Sequence, residues 1–155
     1  MKYVYVYLAG PMQGCTDGEA NDWRNYIMHN LIDYVLHPTP QGDPIKIPKH
    51  RYYFLNPMAR DYRHLVNNHE KLKAVCPEII ELDKRDIDRS DIVIANVFKQ
   101  SAGTSMELLY AKERGKIIVV IVPKDQPLSA WVAYHSTHIC YSLDEAIAWI
   151  TSRVR

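Results

Sequence analysis

The stretch DIVIANVFKQSAGTSMELLYAKERGKIIVVIV, residues 91–122, decides the fold. Both of its ends are unbroken apolar runs rich in β-branched residues, Ile92-Val93-Ile94-Ala95 and Ile117 to Val122. Between them, residues 105–114 read as a helix stopped by Gly115. The two strands are apolar throughout rather than alternating, which predicts burial on both faces. That is the property of a parallel sheet sandwiched between helices.

The rest of the chain extends this βαβ unit. Residues 3–9 predict a first buried strand that ends where Gly10-Pro11 forces a turn. Residues 19–36 have helical spacing, with Trp23, Ile27, Leu31 and Tyr34 on one face. From 37 to 57 the composition changes: five prolines and a Gly42-Asp43 turn predict a long connection, with a short strand over 52–55. Residues 58–74 are polar and fit a helix or an ordered loop. Residues 76–89 predict a helix with Pro77 in its first turn. A last strand over 138–141 and a final helix over 143–153, capped by Ser142, complete the pattern. The expectation is one α/β domain over 1–155, doubly wound, with a mostly parallel five-stranded sheet, helices on both faces (flavodoxin- or Rossmann-like) and a long connecting segment, 37–82. Ligands of such folds bind beyond the carboxyl ends of the strands. Residues 10–14 and 100–107 lie there.

Composition narrows the function classes. A net charge of +1 gives no electrostatic reason for a nucleic acid polymer or a membrane surface as partner. The apolar run 117–122 is too short to span a bilayer, and the first residues lack the core of a secretion signal. Cys15, Cys76 and Cys140 form neither a CxxC pair nor an even disulfide framework, so a reducing cytoplasm is the expected location. Seven histidines include His64 and His69, and His135 and His138, but no HExxH and no carboxylate at ligand spacing, so no metal or other cofactor is expected. His135 reads as structural, as does Trp131, taken as an aromatic of a loop packed on the core.

The segment that carries chemistry is Ser101-Ala102-Gly103-Thr104-Ser105-Met106-Glu107. Gly103 lets backbone approach a ligand, and Thr104 fits a helix N-cap. Two readings of Glu107 then compete. In one, its carboxylate stands ionised at the mouth of a cleft, favoured by the helix dipole, and attacks a sugar carbon. In the other, Thr104 and Glu107 are the S/T-x-x-E pair of a capping box and do nothing more. A second acid source is the run 83–91. Asp86 and Asp88 read as a solvated face and Asp91 as a border of the strand. Asp83 lies where it could share a cleft with Glu107, and glycoside chemistry uses such carboxyl pairs.

Three motifs together, YLAGP (7–11), DIDRSDIVIANV (86–97) and GTSMELLYAKERGK (103–116), resemble the nucleoside 2-deoxyribosyltransferase superfamily. The resemblance covers the first strand and residues 83–147. It implies that Glu107 is the nucleophile forming a covalent ribosyl or deoxyribosyl ester, and that Asp83 engages the base and assists its departure. Nucleoside transferases of this family carry an aspartate six residues before the nucleophile, whereas this chain has Ser101. That is similar to the branch that cleaves nucleoside 5'-monophosphates, 2'-deoxynucleoside 5'-phosphate N-hydrolases and CMP N-glycosidases. There the serine binds the 5'-phosphate, which a carboxylate would repel. Leu128-Ser129-Ala130 resembles the segment whose serine reaches the phosphate of a neighbouring subunit. The chain departs from that branch at Gln13-Gly14-Cys15, where the hydrolases have Arg-Gly-Gly, and in the length of 37–82, which would build the base pocket, cover it, or mediate assembly.

The resemblance thus implies hydrolysis of a nucleoside 5'-monophosphate to free base and (deoxy)ribose 5-phosphate by a homodimer or larger homo-oligomer. Ser101, the amides near Gly103, and a partner's Ser129 would hold the phosphate. Tyr7 would orient Glu107 or the sugar, and Gly10, Met12, Gln13 and Gly14 would line the cleft. The alternatives are a transferase exchanging bases, a phosphoribohydrolase of the cytokinin-activating kind echoed by Gly103-Thr104-x-x-Glu107, and a non-catalytic nucleotide-binding or sensing domain.

Overall fold

A computed structural model describes residues 2–154 apart from 33, 41 and 43. The elements run β1 (Lys2–Ala9), α1 (Asp17–Asn30), β2 (Tyr34–His37), β3 (Ile45–Pro48), β4 (His50–Leu55), α2 (His69–Arg89), β5 (Ile92–Asn96), α3 (Ala102–Glu113), β6 (Ile117–Ile121), α4 (Ala130–His135), β7 (His138–Cys140) and α5 (Leu143–Arg153). Two 3-10 turns, Pro57–Arg60 and Arg63–Leu65, link β4 to α2. A five-stranded parallel sheet has the order β4-β1-β5-β6-β7, and β2 and β3 form a separate antiparallel hairpin. The doubly wound α/β expectation is met.

Each central strand feeds two cores because successive side chains point to opposite faces. Val6, Leu8, Ile92, Ile94, Val119 and Ile121 pack against Trp23 and Ile27 of α1 and Ile150 of α5. Tyr7, Ala9, Val93, Ala95, Ile118 and Val120 pack against Ile87 of α2, Leu108 and Ala111 of α3 and Val132 of α4. This two-sided burial is why β5 and β6 read as continuous apolar runs. A fully buried Ile or Leu such as Ile94 or Leu8 contributes about 1.5–3 kcal/mol relative to exposure. Odd-numbered Tyr7 falls on the α2–α3 side, the side that carries Asp83 and Glu107. Among the described residues no helix is long and apolar enough to cross a membrane.

Several boundaries differ from the sequence expectation. The helix expected over 19–36 ends at Asn30, because Leu31 leaves helical dihedrals (φ −79°, ψ 80°) and 34–37 pairs with 45–48 instead. Tyr34 is therefore a strand residue. The helix expected from 76 starts at His69, where the Asn68 side chain accepts from Lys71 N, so Pro77 sits inside it. Proline cannot donate to the Lys73 carbonyl four residues back. That carbonyl receives the Cys76 thiol at 3.6 Å instead. Trp131, expected on the core, stands 71% exposed on α4, a helix unforeseen in the sequence. The strand expected over 52–55 begins at His50 and forms the edge beside β1. Ser142 caps α5 as expected, accepting from Glu145 N.

Candidate active site

The loop after β5 decides how Glu107 is presented. Ser101, with extended backbone (φ −149°, ψ 117°), is the N-cap of α3, and its Oγ accepts from Thr104 N at 3.2 Å and Thr104 Oγ1 at 3.0 Å. Thr104 is thus a buried residue inside the helix and not its cap. With capping done by Ser101, the Thr104–Glu107 capping box does not form, and Glu107 stands in the second turn rather than the first. Helix-end electrostatics, which fade within a turn, therefore do little for its charge. The environment governs it instead.

That environment is built by β1, α1, α2 and the 3-10 segment. Glu107 retains some exposure as a residue, yet its Oε2 is closed off from solvent and has no hydrogen-bond partner of good geometry. The Tyr7 hydroxyl, on a fully buried ring, likewise has no partner of good geometry, and it stands near enough to Glu107 to act on its charge. Burial pushes the Glu107 carboxyl up to about 7; the Tyr7 hydroxyl opposes this, the Asp83 charge adds to it, and Arg24 and Arg60 pull it down. Burial also pushes the Tyr7 phenol far up, with the negative charges of Glu107 and Asp83 adding, so Tyr7 is a neutral donor. The Asp83 carboxyl is raised by burial and drawn back by Arg60. The Tyr62 phenol is raised by burial, then by Glu107 and Asp83. Tyr7, Asp83 and Glu107, singled out in the sequence, belong to one buried electrostatic cluster.

Two arginines that sequence reasoning missed frame this cluster. Arg24 of α1 is fully buried; its guanidinium donates to Leu8 O (3.3 Å), Gly10 O (3.0 Å) and Ala20 O and lies over the Trp23 ring. Its one sequence signal is that it falls on the apolar face of Ala20, Trp23 and Ile27. Gly10 is dictated by the same contact, since a Cβ there would meet Trp23 Cζ2 at 2.6 Å. Arg60, in the 3-10 turn after β4, donates to Asp83 Oδ1 from Nε (2.9 Å) and Nη2 (2.7 Å), and to Asp86 Oδ2 from Nη2 (2.7 Å). Asp86 is therefore buried and paired, not the solvated residue its mixed-charge run suggests. Asp88 does face solvent, and Asp91 borders its strand by accepting Tyr5 N at 2.9 Å.

The remaining predicted residues separate from this cluster. Ser101 and Ser129 line one cavity of about 360 Å³ together with Lys99, Thr104, Gln126 and Pro127. Because Oγ of Ser101 already accepts twice, its own proton is free to donate. A neighbouring cavity of about 330 Å³ is apolar, with Met106, Leu109, Trp131 and His135. His135 is buried, its Nδ1–H donating to Trp131 O at 2.6 Å. Glu107, Tyr7 and Asp83 line neither cavity. Gly103 is exposed on the first turn of α3. Met12 is buried, while Gln13 and Gly14 are exposed and line neither cavity. Gly14 takes a positive φ of 74° and its carbonyl accepts Lys99 Nζ at 2.9 Å, which ties the β1–α1 loop to the serine-lined cavity. Cys15, Cys76 and Cys140 are free thiols, and among the described residues no group of three His, Cys, Asp or Glu could hold a metal.

A family profile described as "Nucleoside 2-deoxyribosyltransferase like" matches residues 3–126. No curated protein sequence matches the chain. Among solved structures, a 2-deoxyribosyltransferase from Bacillus psychrosaccharolyticus superposes with TM-score 0.61 at 12% identity, covering 93% of this chain and 90% of that one. A conserved protein from Enterococcus faecalis V583 gives 0.60 at 13% identity, over 97% and 99%. The CMP N-glycosidase BcmB of Clostridium botulinum gives 0.51 at 14% identity, over 94% and 97%. At such identities the structural likeness speaks to the fold, and the profile, matching far more than half the chain, speaks to descent. This chain belongs to the nucleoside 2-deoxyribosyltransferase-like family.

Proposed function

We propose that the protein breaks the N-glycosidic bond of a nucleoside or nucleotide by attack of Glu107 on C1'. A Glu107 oxygen forms an ester bond to C1' while the C1'–N pair leaves with the base. The base takes a proton from the acid form of Asp83, and Tyr7 donates to Glu107 to hold it in line. A second nucleophile then opens the ester, returning its proton to Asp83. The observation that carries this reading is the pair of buried, unpartnered atoms, Glu107 Oε2 and Tyr7 Oη, beside Asp83. A buried carboxyl oxygen left without a hydrogen-bond partner is costly unless a ligand uses it.

Family membership favours a second base as the acceptor, which is deoxyribosyl transfer. A specific observation favours the other reading, water as acceptor and a nucleoside 5'-monophosphate as substrate: Ser101 and Ser129 converge on one cavity with hydroxyls suited to a phosphate, beside Lys99, whose ammonium is held by Gly14 O and Glu19. The exposed side chains Met106, Trp131 and Tyr134 on α3 and α4 support a second copy of the chain packing near this cavity. Incubation with a panel of nucleosides and monophosphates, with and without a second free base, tests both. Exchanged nucleoside supports transfer, free base from monophosphates alone supports hydrolysis, and no base release from any member overturns the proposal.

Two further results are expected. Ser101→Asp keeps a good N-cap but puts a carboxylate in the cavity. Turnover of monophosphates should fall by roughly a hundredfold in kcat/KM while nucleosides are spared, since like-charge juxtaposition costs several kcal/mol. Equal loss on both substrates would remove the phosphate from this cavity. Because Glu107 attacks as the anion, kcat/KM should rise with pH through about 7. A profile flat across that range would show that its titration does not limit the reaction.

A further inference from the structure

Helix α2 alone does not orient Asp83. Its Oδ1 receives two N–H bonds from one guanidinium, Arg60 Nε and Nη2, and the same Nη2 reaches Asp86 Oδ2. All three side chains are mostly buried, with exposures of 18%, 14% and 8% for Arg60, Asp83 and Asp86. The turn that presents Arg60 is fastened on both sides. Before it, the Asn56 side chain caps Met58 N at 3.0 Å and Pro57 is buried. After it, Arg63 grips Asp61, donates to Cys15 O at 3.1 Å and pairs with Asp17 at 2.8 Å, joining the turn to the loop after β1. An oxygen already accepting two charged N–H bonds is a poor place for a proton.

We infer that Arg60 is a positioning residue of the active centre: by occupying Asp83 Oδ1 it leaves Oδ2 as the oxygen that exchanges a proton with the leaving base. The inference rests on the role given to Asp83 under the proposed function. It also assigns part of the long connecting segment to the active centre. The other charged or titratable groups around Asp83 are Asp86 on its own helix, Glu107 on α3, Tyr7 on β1 and Tyr62 on the 3-10 segment. Arg89 approaches Asp86 Oδ1 at 3.8 Å, and Lys84 pairs with Glu81. Among the described residues, Arg60 is the cation that bonds Asp83 directly.

The test combines a titration of the Asp83 carboxyl, followed by carbon-13 NMR, with steady-state kinetics for wild type, Arg60→Gln and Arg60→Lys. In Arg60→Gln the Asp83 midpoint should rise by about 1–3 units, the size of an adjacent arginine's effect. The kcat should fall about a hundredfold with KM little changed, as expected for a misdirected catalytic group. Arg60→Lys restores the charge but not the planar fork, so it should recover most of the titration and little of kcat. Circular dichroism verifies that both variants fold. An Asp83 midpoint unchanged in Arg60→Gln overturns the inference, as does a kcat unchanged beside an active wild type. If wild type releases no base, the functional reading fails, and the titration still decides whether Arg60 governs Asp83.

Discussion

Glu107→Ala should lower base release by at least about a thousandfold, because removing a covalent nucleophile leaves only binding and general electrostatics. The fold should survive. Glu107 contributes no cap to α3, which Ser101 starts unaided, and alanine is the best helix former. The companion change Glu107→Gln separates chemistry from stability. In the folded protein this carboxyl titrates near 7 against an ordinary value of 4.5, so the folded state holds its proton more tightly. The cost of burying the anion is absent below the unfolded value and fully felt above the folded one. Glu107→Gln should therefore be as inactive as alanine. It should stabilise the protein by about 1–3 kcal/mol at pH 8 and by almost nothing near pH 4.5. Urea unfolding at the two pH values reads this directly; a gain independent of pH would mean the carboxylate is not the strained group.

Arg24→Ala should destabilise the fold by about 3–5 kcal/mol, a large share of the stability of an ordinary domain. The side chain is fully buried, so its loss leaves a cavity behind Trp23. It also strips donors from Leu8 O and Gly10 O where β1 ends, and water cannot replace them there. For a domain of this size the melting temperature should drop by roughly 10 °C. Because the Arg24 charge also draws the Glu107 carboxyl down, the acid limb of kcat/KM should move to higher pH in any folded variant that removes the charge, such as Arg24→Gln. A melting temperature within a degree or two of wild type would show that the carbonyls find other partners.

The parallel sheet was legible because two-sided burial leaves a mark on the chain: β5 and β6 cannot alternate when helices cover both faces. Tyr7, Asp83 and Glu107 drew notice in the sequence by residue type and motif, and the fold brings the three, from β1, α2 and α3, into one buried cluster. The start of α3 was not, because Ser101, Thr104 and Ser105 are all good caps and Thr104 also completes the S/T-x-x-E pattern. Only the geometry of the Ser101 hydroxyl decides among them. Asp86 misled for a related reason: a charged residue among charged neighbours looks solvated until a cation twenty-six residues away buries it. Arg60 itself has no local pattern. Its turn lies beyond a proline-rich stretch that also hid the β2–β3 hairpin. Contacts made across long sequence separation by single polar residues leave no periodicity to read.

The central claim is a covalent bond to one side chain. A substrate analogue with fluorine at C2' slows the second step more than the first, so the ester should accumulate. Proteolysis and mass spectrometry should then find the sugar, with its phosphate where a monophosphate is used, on the peptide spanning Ala102–Glu113, at Glu107. A glycosyl adduct on any other residue, or none on a protein that still releases base from the analogue, would contradict it.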